Sequence, residues 1–266
     1  MPLSLRLRRG KSEEPLSNSK VDSMVSKDTL DISFVVPCYN EAEHVTSALN
    51  TLKAVTSARR LRYEIIVMDD GSSDETSAVV QAYQNAHPEF PMTLHRNPTN
   101  RGLGWSYFEG AQMAQGEYYM IVNGDGDLPA ETILKIVDHR GEADIINPYL
   151  ANQYDRPLIR RIISYTFTGL VNVLGGHRLH YYNGPVLHRR VNILGVKTRA
   201  KGFGYQAELL CYLMRKGCTV VEIPFFSAYR HHQTDAFRLV NIFSVSRSLI
   251  RVFLTRFIRR DRSSPR

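Results

Sequence analysis

The segment ISFVVPCYNE, residues 32–41, is a run of β-prone residues that Pro37 closes and a polar loop follows. Between residues 41 and 59 the apolar residues then recur at helical spacing. The order of strand, loop and helix returns twice, with strands at 63–68 and 92–94. Strands that alternate with helices predict an α/β fold of Rossmann type, with a mostly parallel central sheet and flanking helices.

Polar clusters follow the predicted strands at their carboxyl ends, which is where open parallel sheets bind ligands. One of them is NGDGD, residues 123–127, which comes directly after a fourth strand at 118–122. Asp125 and Asp127 would point the same way if the chain were extended there. Two such oxygen ligands suit Mg²⁺ or Mn²⁺, which would keep other positions for water and a substrate diphosphate. The alternative is an ordinary turn, since Asp and Gly are common turn residues.

A second cluster is DDGSSD, residues 69–74, which follows the strand at 63–68. A capping loop explains its serines, because Ser72 or Ser73 could cap the next helix. It does not explain two adjacent carboxylates at the end of a buried strand. Their burial would be costly unless they met donors such as a nucleobase N–H, a ribose hydroxyl or a metal ion.

Composition limits the classes of protein to which the chain can belong. With 266 residues and 43% hydrophobic residues, it can bury one substantial core. The formal charge of +8 is concentrated in arginines near both ends. A nucleic-acid partner would explain those ends, but acidic strand ends repel phosphates unless a metal is bound, so we expect no nucleic acid.

Other features argue against secretion and against a membrane-spanning segment. Three cysteines without metal-ligand spacing favour neither a disulfide framework nor a zinc site, and they fit a reducing compartment. The amino terminus has no apolar core of signal-peptide length, and no window approaches the roughly 18 apolar residues of a transmembrane helix. We therefore expect a cytoplasmic protein that is soluble or peripheral.

Three regions are expected along the chain. Residues 1–30 lack apolar periodicity and are predicted to be a disordered basic arm. Residues 31–235 form the folded domain, which divides into 31–127 and 128–235. Residues 236–266 form a basic tail with an amphipathic helix at 237–258.

The motifs VPCYNE (36–41), DDGSSD (69–74), NRGLG (100–104) and DGD (125–127) are recognisable as a set. They resemble the inverting family-2 glycosyltransferases with the GT-A fold. Within that family the chain looks most like the dolichyl-phosphate mannose synthase branch, whose members load a polyprenyl phosphate with a sugar. The resemblance runs from about residue 32 to about residue 230.

The resemblance implies a donor site for a nucleoside diphosphate sugar, with GDP or UDP as the nucleotide. Asp69 or Asp70 would recognise the base or the ribose, and Asp125 and Asp127 would hold the metal ion. Helix capping is an equal alternative for Glu41. The other residues implied to contact the nucleotide sugar are Pro37, Tyr39, Asn40, Glu41 and Gly102.

Residues 128–235, the acceptor half that the resemblance implies, match the pattern of the branch only in part. Arg160 and Ser164, four apart on one face of a predicted helix, match residues that meet the lipid phosphate in the branch, as does Arg230. Tyr149 stands where the branch usually has an arginine, and His180 where it usually has an aspartate. Two further departures follow Arg230, at Gln233 and Asp235. Phosphate recognition is therefore either rebuilt or lost.

Two mechanisms remain open at this stage. A lipid phosphate is already nucleophilic, so Arg160 and Arg230 need only position it. A sugar hydroxyl requires a general base, for which Glu208 is the candidate. Glu208 could also be an ordinary helix residue paired with Arg215 or Lys216. The residues expected to act in catalysis under one mechanism or the other are Asp127, Glu208, Arg160 and Arg230.

The basic tail favours contact with a membrane. Arginines beside an apolar helix face are typical of interfacial helices at anionic headgroups, and a polyprenyl acceptor would be met there. We expect peripheral contact at the inner face of the cytoplasmic membrane. The alternatives are that the helix packs on the domain or in a dimer, that the acceptor is a saccharide hydroxyl, or that the chain is a non-catalytic sugar-nucleotide-binding scaffold.

Deletion of residues 1–25 should leave the melting temperature and donor binding unchanged, because that arm has no core-forming periodicity. Thermal unfolding of the full and shortened chains, each with and without donor, measures both quantities. A large fall in melting temperature on deletion would contradict the assignment of the arm.

Overall fold

The computed structural model describes residues 30–196, 202, 204–226 and 247–254. The described strands are β1 (Ile32–Cys38), β2 (Tyr63–Asp69), β3 (Met92–Arg96), β4 (Tyr118–Ile121), β5 (Ile145–Leu150), β6 (Leu187–Arg189) and β7 (Val220–Phe225). The described helices are α1 (Val45–Ala58), α2 (Thr76–Ala86), α3 (Leu103–Met113), α4 (Ala130–Asp138), α5 (Leu158–Gly175), α6 (Arg190–Leu194), α7 (Tyr205–Lys216) and α8 (247–254). A short 3-10 helix, Gln153–Asp155, precedes α5.

The strands form one sheet in the order β3-β2-β1-β4-β6-β5-β7. β1, β2, β3 and β4 are parallel neighbours, and β5 is parallel to β7. β6 alone among these strands runs antiparallel to both of its neighbours. The predicted α/β architecture with a mostly parallel sheet is confirmed.

β1 shows why this sequence forms a central strand. Its side chains alternate between two buried clusters, with Phe34 and Val36 on one face and Val35 on the other. The first cluster also contains apolar residues of α1, α2 and α4, and the second contains those of α3, α5 and α7. A strand buried on both faces reads as a continuous apolar run. Residues 32–36 are such a run except for Ser33, which is buried and donates its hydroxyl to Glu64 Oε1 (2.6 Å).

β6 is a strand of the sheet that local sequence does not predict. It has three residues, Leu187–Arg189, of which one is a histidine and one an arginine. Such a segment has no β-rich run and no alternation to detect. Its position is fixed by pairing with β4 and β5 rather than by local sequence.

Helix predictions agree with the structure where both can be compared. The sequence predicts helices at 157–174 and from Tyr205 to Lys216, and the structure has them as α5 (Leu158–Gly175) and α7. Of the segment 237–258, only 247–254 lies within the described residues, and it is helical. None of the described helices is both long and apolar enough to cross a membrane. The boundaries proposed for the arm and the tail stay predictions.

His188 of β6 is a buried titratable group. It packs beside Tyr107, and its Nδ1 meets no hydrogen-bond partner among the described residues. Burial lowers the pKa of His188 from 6.5 to about 3. Below pH 6.5 the unfolded chain binds a proton at this side chain and the folded chain does not. Its contribution to stability is therefore complete above pH 6.5 and declines toward pH 3, by roughly 1.4 kcal/mol per pH unit.

His188→Leu should remove this dependence. The loss of unfolding free energy between about pH 7.5 and about pH 5.5 should then be smaller by about 1.4 kcal/mol than in the unchanged chain. Urea unfolding at the two pH values measures the difference, with His95→Leu on β3 as a control for the substitution itself. An equal loss in His188→Leu and the unchanged chain would contradict the assignment.

Candidate functional site

The carboxyl ends of β1, β2 and β4 lie side by side at one edge of the sheet. Tyr39 and Asn40 follow β1, Asp69 ends β2 with Asp70 directly after it, and the DGD motif follows β4. Gly124 donates its N–H to the carbonyl oxygen of Pro37 (3.2 Å), which ties the loop after β4 to the end of β1. The structure therefore brings the predicted donor residues together.

The loop after β1 is held in one conformation by the loop after β2. Asn40 lies in the left-handed region (φ 58°), which is uncommon for a residue other than glycine. Its N–H donates to Ser72 Oγ (3.0 Å), and its Oδ1 accepts from the N–H of Ser73 (2.9 Å). Tyr39, beside it, is 48% exposed. The loop thus presents an aromatic ring to solvent from a rigid backbone.

Glu41 takes part in the start of α1 through its backbone. Its carbonyl oxygen accepts from the N–H of Val45 (2.9 Å), and its own N–H donates to Thr76 Oγ1 (2.8 Å). The role of its side chain as cap or nucleotide contact stays a prediction. The helix after β2 lacks the expected serine cap: its N-cap residue, Glu75, makes no side-chain capping bond, and Asp74 accepts from the N–H of Thr76 (3.0 Å).

Asp69 is fully buried and finds its donors within the protein. Its Oδ1 accepts from the N–H of Ser72 (2.9 Å), and its Oδ2 accepts from the hydroxyl of Ser77. The guanidinium of Arg96 lies 3.7 Å from the same carboxylate. The protein itself thus provides the donors to this buried carboxylate that were expected from a ligand.

Asp70 is also buried and holds the loop after β3. Its two oxygens accept from Asn97 Nδ2 (2.7 Å) and from the N–H groups of Arg101 (3.0 Å) and Gly102 (2.7 Å). Gly102 has φ 96°, which favours glycine. The NRGLG motif is thereby fixed against the DDGSSD motif. A contact of Asp69, Asp70 or Gly102 with a nucleotide remains a prediction.

Asp125 and Asp127 flank a tight turn rather than an extended chain. Gly126 between them has φ 70°, and the N–H of Asp127 donates to Asp125 Oδ1 (3.1 Å). The expectation of an extended chain from Asp125 to Asp127 is therefore wrong, and a shared direction of the two carboxylates stays a prediction. Both residues are half-buried.

The two carboxylates of this turn fit a divalent metal whose remaining coordination positions are filled by water and a substrate. Among the described residues no group of three or more His, Cys, Asp or Glu side chains could hold a metal. Two carboxylates leave most positions of an octahedral ion to water and phosphate oxygens, which is how Mg²⁺ is commonly held. Asp125 and Asp127 are thus the residues of this edge that could bind a metal together with a diphosphate.

On the acceptor side, α5 carries Arg160 and Ser164 one turn apart, and both are half-buried. The opposite face of the helix is apolar and exposed. Arg230 lies outside the described residues. The exposed apolar residues of α5 are Leu158, Ile159, Ile162, Ile163, Tyr165, Leu170 and Val173.

Glu208 lies in the first turn of α7 and is 6% exposed. Its described ion pair is with Arg251 of α8 (3.4 Å), and not with Arg215 or Lys216 as the sequence analysis considered. Burial raises the pKa of Glu208, and hydrogen bonding to Ser248 and the charge of Arg251 oppose that rise. The carboxylate therefore interacts with two side chains of α8 in this structure.

Tyr149 and His180, which stand where the resemblance leads one to expect an arginine and an aspartate, contact each other. The rings of Tyr149 and His180 stack with centroids 4.8 Å apart. Glu222 of β7 lies 2.8 Å from His180 Nδ1 and accepts from the backbone N–H of His180 (2.9 Å). Sequence reasoning noted Tyr149 and His180 separately and missed the cluster. That both residues depart from the family pattern was the available signal.

Comparison with known proteins agrees with this geometry. The chain is 26% identical over 182 residues to a dolichyl-phosphate beta-glucosyltransferase of Trichomonas vaginalis, a match that covers 62% of this chain and 53% of that protein. It is 24% identical over 235 residues to a dolichol-phosphate mannosyltransferase of Pyrococcus furiosus, covering 84% of this chain and 64% of that protein. The matches thus span less than two thirds of these two relatives' own length.

A solved structure shares the fold at low sequence identity. It is glucosyl-3-phosphoglycerate synthase from Mycobacterium tuberculosis in complex with Mn²⁺, UDP-glucose and phosphoglyceric acid. It has a TM-score of 0.63 and 16% identity, and the match covers 94% of this chain and 87% of that one. The family model described as Glycosyl transferase family 2 matches residues 33–190. The architecture is therefore that of the GT-A glycosyltransferases, and the chain belongs to glycosyl transferase family 2.

Proposed function

We propose that the protein is a metal-dependent inverting glycosyltransferase that moves a sugar from a nucleoside diphosphate sugar to a polyprenyl phosphate at the cytoplasmic face of a membrane. The acceptor class is inferred from the two faces of helix α5. One side of this helix holds Arg160 and Ser164, and the other side exposes a row of apolar residues. A phosphate joined to a lipid chain has the two chemistries that these faces fit.

The donor is bound at the edge formed by β1, β2 and β4. Tyr39 offers an exposed ring for a uracil or guanine base, and the N–H groups and side chains of its loop are already fixed. Asp125 and Asp127 would hold Mg²⁺ or Mn²⁺. The bound metal would neutralise charge on the diphosphate as it leaves. Two named relatives are dolichyl- or dolichol-phosphate transferases, and the solved neighbour was crystallised with Mn²⁺ and UDP-glucose.

The acceptor needs no strong general base under this proposal. A phosphate oxyanion is already nucleophilic, so the protein has to position it and stabilise the leaving group. The engagement of Glu208 by Arg251 and Ser248 supports this mechanism, because a general base must be available to the acceptor proton. Arg160 and Arg230 are the proposed cations for the acceptor phosphate.

Membrane contact is proposed through the exposed apolar residues of α5 together with those of α8. α5 contains Arg160 and Arg161 and no acidic residue, and residues 236–266 contain eight arginines and one aspartate. Apolar side chains flanked by arginines favour an anionic bilayer surface. Ile250, Phe253 and Leu254 are the exposed apolar residues of α8.

A saccharide hydroxyl is the second candidate acceptor. Tyr149 and His180 favour it, because the resemblance leads one to expect an arginine and an aspartate at these positions. Glu208 would then have to leave Arg251 to act as the base. A non-catalytic sugar-nucleotide-binding scaffold is the third possibility, and the absence of transfer to any acceptor despite donor binding would identify it.

Asp125→Asn and Asp127→Asn should each abolish the metal-dependent part of donor binding and lower transfer ~100-fold or more, since the diphosphate loses its bound counter-charge. Calorimetric titration of UDP- and GDP-sugars with and without Mn²⁺ measures binding and also identifies the base. Asp138→Asn, which breaks an exposed pair with Arg59 at the end of α4, is the matched control. Unchanged metal-dependent binding in both variants would remove the metal assignment.

Arg160→Ala should raise the KM for polyprenyl phosphate ~10-fold or more and leave the KM for the donor unchanged, because it removes a cation from the acceptor phosphate alone. Glu208→Gln should cost less than about tenfold, whereas loss of a general base typically costs about a hundredfold or more. Arg161→Ala, whose guanidinium lies over the Tyr154 ring, is the matched control on the same helix.

Initial rates with a range of donors and acceptors test this prediction. The polyprenyl-phosphate proposal fails if no bound donor gives transfer to polyprenyl phosphate and Glu208→Gln abolishes transfer to a saccharide. Equal effects of Arg160→Ala and Arg161→Ala on the acceptor KM would remove Arg160 from the acceptor site.

A further inference from the structure

Helix α8 has two different faces. Ser248 and Val252 are buried against the domain, whereas Ile250, Phe253 and Leu254 are exposed. Of the alternatives for the basic helix, packing on the domain therefore holds for the inner face of 247–254. The outer face remains available to a bilayer.

The inner face rests on two glycines. A Cβ atom at Gly204, directly before α7, would lie 2.1 Å from Ser248 Oγ, so no larger residue fits without displacement of α8. A Cβ atom at Gly175, at the end of α5, would lie 3.3 Å from Val252 Cγ1 and 2.9 Å from the sulfur of Cys211. α8 thus packs closely where α5 ends and α7 begins.

An ion pair joins α8 to the buried start of α7. Arg251 Nη1 lies 3.4 Å from Glu208 Oε2 and 3.5 Å from Oε1. Glu208 is almost completely buried, so its carboxylate depends on Ser248, on this guanidinium and on the charge of Arg247 for compensation. Removal of Arg251 would take away the one guanidinium that both pairs with and hydrogen-bonds to this buried carboxylate among the described residues.

The same turn of α7 contacts the loop between α5 and β6. Gln206 Nε2 donates to the carbonyl oxygen of Gly184 (2.5 Å), and Gln206 itself is buried. A Cβ atom at Gly184 would lie 2.4 Å from the carbonyl oxygen of Pro148 in β5. A continuous set of contacts therefore runs from α8 through α7 to the loop between α5 and β6.

We propose that α8 couples membrane binding to the acceptor site, with Arg251 as a positioning residue that acts through Glu208. The inference rests on the proposed function for its acceptor. An anionic bilayer that covers Ile250, Phe253 and Leu254 binds the docked helix, and it thereby favours the state in which Glu208, Gln206 and Gly184 are held in place. Arg247 of α8 and the arginines that follow α8 in the sequence provide the charge complementarity, since Arg251 is paired with Glu208.

Hydrogen exchange tests the coupling without any assay of activity. Vesicles of phosphatidylcholine and phosphatidylglycerol should slow amide exchange in residues 205–210 and 182–186 of the unchanged chain. Vesicles of phosphatidylcholine alone should have a smaller effect. In Arg251→Met the vesicles should still bind but should no longer slow exchange in these two segments. Equal slowing in both proteins, or no slowing in the unchanged chain, overturns the proposal.

A double variant separates positioning from simple destabilisation. Arg251→Met should raise the KM for a short-chain polyprenyl phosphate about tenfold. The double variant Arg251→Met with Glu208→Gln should bring this KM most of the way back to that of the unchanged chain, because the uncompensated charge is gone. Arg251→Lys should also restore it. Arg189→Met, which breaks the exposed pair with Glu117 (2.9 Å), is the matched control. Additive effects of the two substitutions on this KM overturn the positioning role.

The two proposals fail in distinguishable ways. If the unchanged chain shows vesicle-dependent protection of 205–210 but makes no product from polyprenyl phosphate, the acceptor proposal fails and the coupling stands. If product forms and Arg251→Met changes neither the protection nor the acceptor KM, the coupling fails alone.

Discussion

The candidate site depends on two adjacent buried carboxylates, Asp69 and Asp70, at the end of β2. Buried charges are costly unless donors surround them, and charge-assisted hydrogen bonds of this kind contribute roughly 1.5–3 kcal/mol each. Asp69 takes its donors from its own loop and from α2, whereas Asp70 takes them from the loop after β3. The polar edge is therefore ordered by internal charge before any substrate is present. Such preorganisation lowers the ordering cost that binding would otherwise incur.

The sequence predicted those parts of the molecule that local pattern determines. β1, β2 and α7 have apolar periodicity of the correct period, and the polar motifs follow strands whose carboxyl ends must meet in a parallel sheet. What it could not predict depends on long-range contacts. Arg251 and Glu208 are 43 residues apart, and β6 is defined only by its two neighbours. The left-handed Gly126 likewise makes the segment from Asp125 to Asp127 a turn, where alternation along an extended chain was expected.

The donor and acceptor halves are built differently. On the donor side, hydrogen bonds such as those of Asn40 and Asp70 join neighbouring loops directly. On the acceptor side, the contacts pass between helices and through glycines that permit close packing, as at Gly184 and Gly204. Close packing of this kind transmits displacement, because interiors are dense and have few voids. Under the proposed function, the acceptor half would therefore be the half in which a remote helix can act on the site.

The stack of Tyr149 on His180 bears on where acceptor recognition is situated. In the branch that the chain resembles, an arginine and an aspartate are usual at these positions, so their joint replacement removes one positive and one negative group together. The local charge stays balanced, and Glu222 fixes the His180 ring through two contacts. A cation for an acceptor phosphate must then come from elsewhere, and α5 provides Arg160 on the face opposite its exposed apolar residues. Under the proposed function, recognition of the acceptor headgroup would then lie on the same helix as the proposed lipid contact, so that one element would bind both ends of an amphipathic substrate.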